Sequence, residues 1–186
     1  MKGLFLIVMT ALILSGNGSL RAEGESERGQ VVSKETIDLV LQLAKEKTIV
    51  ADIETQNQGL VDDGKVQELR KQWAVSSSAS DLVKTFQAKA SSLTMRDYFS
   101  KAFSLIDCYS LDAQGRIVGT IYKPRDFLQD AEPLFVNCIN QGQGKIFVDQ
   151  FLNGPLGAEE PVEIAMPVTD GTKTVGVLVA TVLAEK

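Results

Sequence analysis

The last third of the chain alternates short runs rich in branched and aromatic residues with turn residues, a pattern that suits an antiparallel sheet. Residues 105–111 read as a strand, Asp112-Ala113-Gln114-Gly115 as a turn, and 116–122 as a second strand. After a polar crossover come 145–149, 162–168 and 175–183. Asp170-Gly171 marks a hairpin between the last two strands, and Pro167 is expected to close the strand before it. The fifth run is apolar at nearly every position, so it is expected at the centre of the sheet, covered on both sides. In the fourth, Val162, Ile164 and Met166 share one face; in the third, Phe147 and Asp149 oppose Ile146 and Val148. On the second, simple alternation puts Val118, Thr120 and Tyr122 together, against Ile117, Gly119 and Ile121.

The residues before the sheet carry helical spacing. Ser33 suits the N-cap of a helix whose apolar positions are Ile37, Val40, Leu41, Ala44, Thr48 and Ala51, fading near Asn57-Gln58-Gly59. A second helix follows the turn at Asp62-Asp63-Gly64 and carries Val66, Leu69 and Trp73. A third starts at Ser80 or Asp81, runs through Leu82, Val83, Phe86 and Ala90, and is expected to end near Ser91-Ser92. Helices grouped ahead of strands predict an α+β fold, with N-terminal helices packed on a five-stranded antiparallel sheet.

Lys2, the apolar stretch 4–14 and the small and polar residues up to Ala22 have the layout of a secretory signal peptide, residues 1–22. That stretch is too short to span a bilayer comfortably, and an uncleaved anchor is the alternative. Residues 23–32 read as a flexible N-terminus and 33–186 as a single domain. The expected product is periplasmic or secreted. With 19 basic and 24 acidic residues, an acidic chain lacking basic clusters is a poor partner for nucleic acid. Cys108 and Cys138 suit an oxidising compartment. A bridge between them would close a loop of about 30 residues and stabilise by about 3.5 kcal/mol; two buried thiols are the alternative.

The sheet segments resemble the Cache domain, an extracellular PAS-like sensor fold. The resemblance rests on residues 112–118 (DAQGRIV), the crossover 125–132 (RDFLQDAE), 144–149 (GKIFVD), and 166–171 (MPVTDG) leading into Val175-Gly176-Val177-Leu178. Residues 69–73 (LRKQW) are similar to a helix of stand-alone exported members. Phe127, Leu128 and Asp130 depart from the aromatic pair and glycine usual in the family's crossover. The resemblance implies a PAS-like sheet with a helical crossover after the second strand and a ligand held between the two. Projected on this chain, the lining would be Tyr109, Tyr122, Lys123, Arg125, Asp126, Phe127, Phe147 and Asp149. Arg125 offers a planar fork for a carboxylate, and Asp126 or Asp149 can accept from an ammonium or hydroxyl. Phe127 and Phe147 read equally as core, Trp73 as helix-to-sheet packing, Asp126 as the cap of a short helix, and Lys123 and Arg125 as solvated loop residues.

The chain contains no histidine, which removes Ser-His, Cys-His and histidine-ligated metal chemistry. Two cysteines cannot close a thiolate metal site. Glu159-Glu160 and Asp62-Asp63 fall in polar turns with no apolar wall to shift a carboxyl group. The expectation is a non-enzymatic sensor or binding domain for a small organic ligand, a carboxylate or amino-acid-like molecule, without metal or cofactor. Signal would pass to a separate membrane signalling protein. The alternative is a periplasmic interaction or structural module with a filled pocket, with a homodimer through the N-terminal helix.

Overall fold

The computed structural model describes residues 32–59, 62–102, 104–150 and 161–183. The segment read as signal peptide, residues 23–31 of the segment read as a flexible N-terminus, and the pair Glu159-Glu160 lie outside them. Five helices come first: α1 (Lys34–Ala44), α2 (Lys47–Gln58), α3 (Asp63–Val75), α4 (Asp81–Gln87) and α5 (Ala90–Lys101). The strands are β1 (Leu105–Asp112), β2 (Ile117–Thr120), β3 (Phe147–Gln150), β4 (Pro161–Asp170) and β5 (Lys173–Leu183), with α6 (Pro133–Ile139) between β2 and β3. They form one antiparallel sheet in the order β2-β1-β5-β4-β3. The fold is α+β as expected, with β5 central.

Register assigns the faces. Cys108, Ala180, Ile164 and Val148 form one cross-strand row. Their face packs on α1, α2 and α5 through Val40, Leu43, Ile49, Ile53 and Met95. Tyr109, Val179, Ala165 and Phe147 form the adjacent row, on the opposite face. There Leu134, Phe135 and Cys138 of α6 join Trp73, Val83 and Phe86 from α3 and α4. The two faces therefore have separate apolar cores, each covered by helices.

Several boundaries differ from the sequence reading. The first expected helix is two. Lys45 ends α1 by donating to Gln42 O, and Glu46 turns extended before α2 begins. The break lets Val40 and Leu43 of α1, and Ile49 and Ile53 of α2, all reach one sheet face. Ser91-Ser92 does not end a helix but opens α5. The Asp52 carboxylate accepts from the Ser91 amide at 2.8 Å. Ser92 Oγ donates to Phe86 O and accepts from the Thr120 amide. Both serines are fully buried, because α5 lies against Gly119 of β2 where a larger residue would collide. Pro167 does not close β4, which runs on to Asp170; it pairs with Val177 inside the strand.

A register shift on β1/β2 overturns simple alternation in the second strand. Ile117 opposes Leu111, Gly119 opposes Ser110 and Thr120 opposes Tyr109, leaving Val118 as the extra residue. The bridge between Cys108 and Cys138 is not formed. Both are free and buried, one in each core, with the sheet between them. Burial pushes both thiols up, Cys138 to about 12.

Gly176 sits in β5 opposite Asp112 of β1. A Cβ there would press on the Leu111 carbonyl oxygen and on the Ile53 side chain. Gly176→Ala is therefore expected to lower the unfolding free energy by about 2 kcal/mol or more, since backbone on one side cannot yield. Urea unfolding of the two proteins side by side measures it.

Candidate functional site

The crossover from β2 to α6 is held against the sheet by a polar hub. The Asp112 side chain is fully buried and takes the Arg116 guanidinium at 2.5 Å. Its other oxygen accepts from the Gln114 and Arg116 amides at 2.9 and 3.0 Å, which fixes the turn. Gln56 of α2 donates to Asp112 and to Ile117 O, tying the helix layer to the same point. Gly115 has φ +75°, and a Cβ there would strike the Asp130 backbone. This close approach lets the Gln129 amide donate to Gly115 O at 2.7 Å, beside an Arg116–Leu128 bridge and an Ile117 N to Phe127 O bond. The crossover thus pairs with the outer side of β2.

Trp73 pins the other end of the crossover. Its indole N–H donates to Pro124 O at 2.9 Å, and its ring packs with Phe86 and Phe127 at centroid distances of 5.3 and 5.7 Å. Lys123 Nζ lies over the same indole, 5.4 Å from its centroid. Gln87 donates to Ile121 O. No helix starts at Phe127, so Asp126 caps none; the helix begins at Pro133.

The eight residues predicted from sequence separate in space. Tyr109 is buried on the crossover face, Phe127 is buried in the aromatic cluster, and Phe147 packs at the margin of that core. Asp149 is exposed on β3, directly across from Glu163. Lys123 is part-buried over Trp73. Arg125 is solvent-exposed, 3.9 Å from the Asp126 carboxylate. Tyr122 is exposed and turns toward α5, meeting Phe99 at 6.2 Å.

The face carrying Tyr109 and Phe147 has a second row that the sequence reading did not single out. Asp107, Thr181, Glu163 and Asp149 are successive cross-strand partners on β1, β5, β4 and β3. Each lies two residues from the apolar row, so the two rows are about 7 Å apart on one face. Val179 and Ala165, which stand between Tyr109 and Phe147 in the apolar row, are fully buried in the cluster that holds Leu134, Phe135 and Cys138 of α6. Glu163 stands alone as an acid in the apolar run 162–168, and Asp107 precedes Tyr109 by two; that spacing was the available signal.

Electrostatically this row is one-sided. Burial, then Asp149, Asp107 and Glu132, push the Glu163 carboxyl up from its ordinary value. Burial raises Asp107 as well, opposed by amide hydrogen bonds from Cys108 and Tyr122. Burial first, then Glu163, Asp107 and Glu132, raise the Tyr109 phenol. No ion pair among the described residues involves Asp107, Glu132, Asp149 or Glu163.

A separate open depression of about 490 Å³ lies where α1 meets α2, lined by Gln42, Lys45, Glu46, Lys47, Thr48 and Tyr98. The Tyr98 hydroxyl donates to Glu46 at 2.6 Å, which pushes the phenol up to about 12. No described helix is long and apolar enough to cross a membrane.

No family model and no curated protein matches the chain. Among solved structures, the chain is similar to the sensor domain of the V. cholerae histidine kinase DctB (15% identity, TM-score 0.42, covering 80% of this chain and 49% of that one). It is also similar to the ligand-binding domain of the Campylobacter jejuni chemoreceptor Tlp3 in complex with L-norvaline (14%, 0.39, 81% and 57%). A third is the ligand-binding domain of the Pseudomonas aeruginosa amino-acid chemoreceptor PctC in complex with GABA (13%, 0.35, 82% and 61%). The chain spans about half to three-fifths of the length of these structures.

A raised folded-state carboxyl pKa means that ionising the group opposes folding. The stability it contributes is whole below the unfolded value and is lost as pH rises through the folded one. Glu163→Gln is expected to raise the melting temperature at pH 7.5 by about 2 °C or more. The gain should shrink toward zero as the pH falls below about 4, where Glu163 is neutral in both states. Differential scanning calorimetry across that range reads both.

Proposed function

We propose that this chain is an exported sensor or binding domain that takes a small amino-acid-like organic ligand on the crossover face of its sheet. The observation that carries the reading is the pair of rows on that face: the apolar row of Tyr109, Val179, Ala165 and Phe147, its middle residues packed with α6, beside the half-buried acids Asp107 and Glu163. Apolar walls with a few converging polar groups are the usual composition of a small-molecule site. The acids suit an ammonium group, and Lys123 and Arg125 on the crossover supply the cations for a carboxylate. Phe127 backs the Trp73 cluster that holds this loop, and Tyr122 and Asp126 flank the two basic residues. Nothing in this arrangement provides a nucleophile with an adjacent base, which favours binding over catalysis.

Export rests on the sequence of residues 1–22, and a membrane signalling protein is the partner to which a binding event would pass. Ligand binding to the folded state raises stability by about 2.7 kcal/mol at a hundred times Kd. A thermal-shift screen of amino acids, amines and organic acids on the mature chain is expected to give at least one saturable rise in melting temperature. Arg125→Ala should then weaken a carboxylate-bearing hit by about tenfold, the loss of one charge-assisted contact. A flat response across the whole panel would leave a structural module with its hollow filled by side chains.

A further inference from the structure

We propose that α6 is a lid: residues 130–146 detach from the sheet as one cooperative unit and uncover Tyr109, Val179 and Ala165, and the crossover face admits a ligand in that open state. The opening stands on the construction of the segment alone. Its purpose rests on the reading of that face as a binding site.

The segment is fixed at both ends and loosely held between them. Before it, the Gln129 amide donates to Gly115 O and the Gln129 side chain to Asp126 O. After it, β3 pairs with β4 from Phe147 onward. Between these anchors α6 has seven residues, too few for a helix to persist without tertiary support. Its N-cap, Glu132, makes no side-chain bond to the first turn. Leu134, Phe135 and Cys138 are its buried residues, packed in the cluster that holds Val179 and Ala165. Among the described residues no side-chain hydrogen bond or ion pair joins α6 to another element. The helices of the opposite face are tied down instead. Gln56 donates to Asp112 and Ile117 O, Asn57 to Val175 O, and Ser92 accepts from the Thr120 amide.

The turn after α6 is strained in the seated position. Asn140 and Gln141 both take left-handed backbone, at φ +44° and +54°, and Gly142 continues at +86°. Successive residues with Cβ atoms are costly there, and such strain persists only where its surroundings impose it. The bonds of this turn run back into the helix: the Gly144 and Lys145 amides donate to Ile139 O and Cys138 O at 3.2 and 2.7 Å. Turn and helix therefore form and come apart together, and coming apart releases the strain. The seat is at Gly144, φ +67°, where a Cβ would strike Thr174 Oγ1 and Pro167. At the other end, closure brings Glu132 within electrostatic reach of Glu163, and the two acids repel. Strain and repulsion thus oppose the contacts of three apolar side chains. An element so balanced opens by itself, whereas one held by many bonds opens with the whole fold.

The two thiols report the motion. Cys138 belongs to α6 and faces its core, Cys108 belongs to β1 and faces the other, and both are fully buried. Alkylation of the purified chain by iodoacetamide at about pH 8, mapped by mass spectrometry, reads both at once. Cys138 is expected to react about a hundredfold faster than Cys108, at a rate that low urea barely changes while Cys108 speeds up steeply. Gln141→Gly should slow Cys138 by about threefold by relieving the turn. Gly144→Ala should speed it by about tenfold by unseating the turn. Gly176→Ala, outside the unit, should speed Cys108 and leave Cys138 unchanged. Gln141 is exposed, so its variant keeps the test sound should Gly144→Ala misfold. Equal rates with equal urea slopes, both thiols speeding equally in Gly176→Ala, or a Cys138 rate indifferent to Gln141→Gly would overturn the lid. Saturable ligand hits with equal thiol rates would leave the binding domain and remove the lid. A flat ligand screen with fast, variant-sensitive Cys138 labelling would do the reverse.

Discussion

The structure depends on one strand being apolar on both sides. β5 presents Leu178, Ala180 and Val182 to one face and Val177 and Val179 to the other, all buried. Such a strand cannot lie at the surface of a two-layer fold, so the chain must supply helices for both faces. The N-terminal helices α1, α2 and α5 cover one, and α6 with the crossover and the Trp73 cluster covers the other. The division also explains the two thiols: a sheet with a packed layer on each side separates Cys108 from Cys138 as firmly as distance along the chain. The two covers differ in kind. Helices α1, α2 and α5 seal the first face, whereas the second relies on the seven-residue α6, a pinned loop and the Trp73, Val83 and Phe86 side chains of α3 and α4.

That asymmetry is where the Asp112–Arg116 hub acts. A buried ion pair contributes little by itself once desolvation is counted, and removing one partner is what costs heavily. Its value here is positional. The same carboxylate satisfies the turn amides, the guanidinium and Gln56, so turn, helix layer and crossover share one fixed point. From there the chain runs along β2 to the second anchor at Trp73 and Pro124. The crossover is thereby held at two ends, while the sheet row between Asp107 and Asp149 is left partly open.

The strands, their order of appearance and the central position of β5 were legible because alternation and turn residues are local signals. Helix existence was legible for α1, α3 and α4. The division of α1 from α2 was not, since Thr48 and Ala51 continue the apolar spacing across Lys45-Glu46 and only the sheet beneath decides where the axis must bend. α5 was missed for a related reason: Ser91 and Ser92 carry the local chemistry of a stop, yet β2 at Gly119 requires small residues there. The β2 register shift inverted the expected faces, so Thr120 shares a row with Tyr109 and Tyr122 turns to Phe99. Of the candidate site, Tyr109, Phe147 and Asp149 were named through the family resemblance. Asp107 and Glu163 were not, because their meaning lies in cross-strand pairing.

Those two acids are also where local preference and global fold disagree. An isolated glutamate in an inner strand of a sheet, half-buried and facing other acids, is held at a cost that Gln or Thr at the same position would avoid. Thr181, the residue between Asp107 and Glu163, shows that a neutral polar side chain fits the row. The repulsion is raised further by a dry neighbourhood, since Tyr109, Ala165 and Val179 exclude water from one side. Packing has no use for such an arrangement, and the helical covers would tolerate its replacement. A positive guest would relieve the repulsion. Occupancy would then couple to the stability of the face that the crossover closes, which is the coupling the proposed function requires.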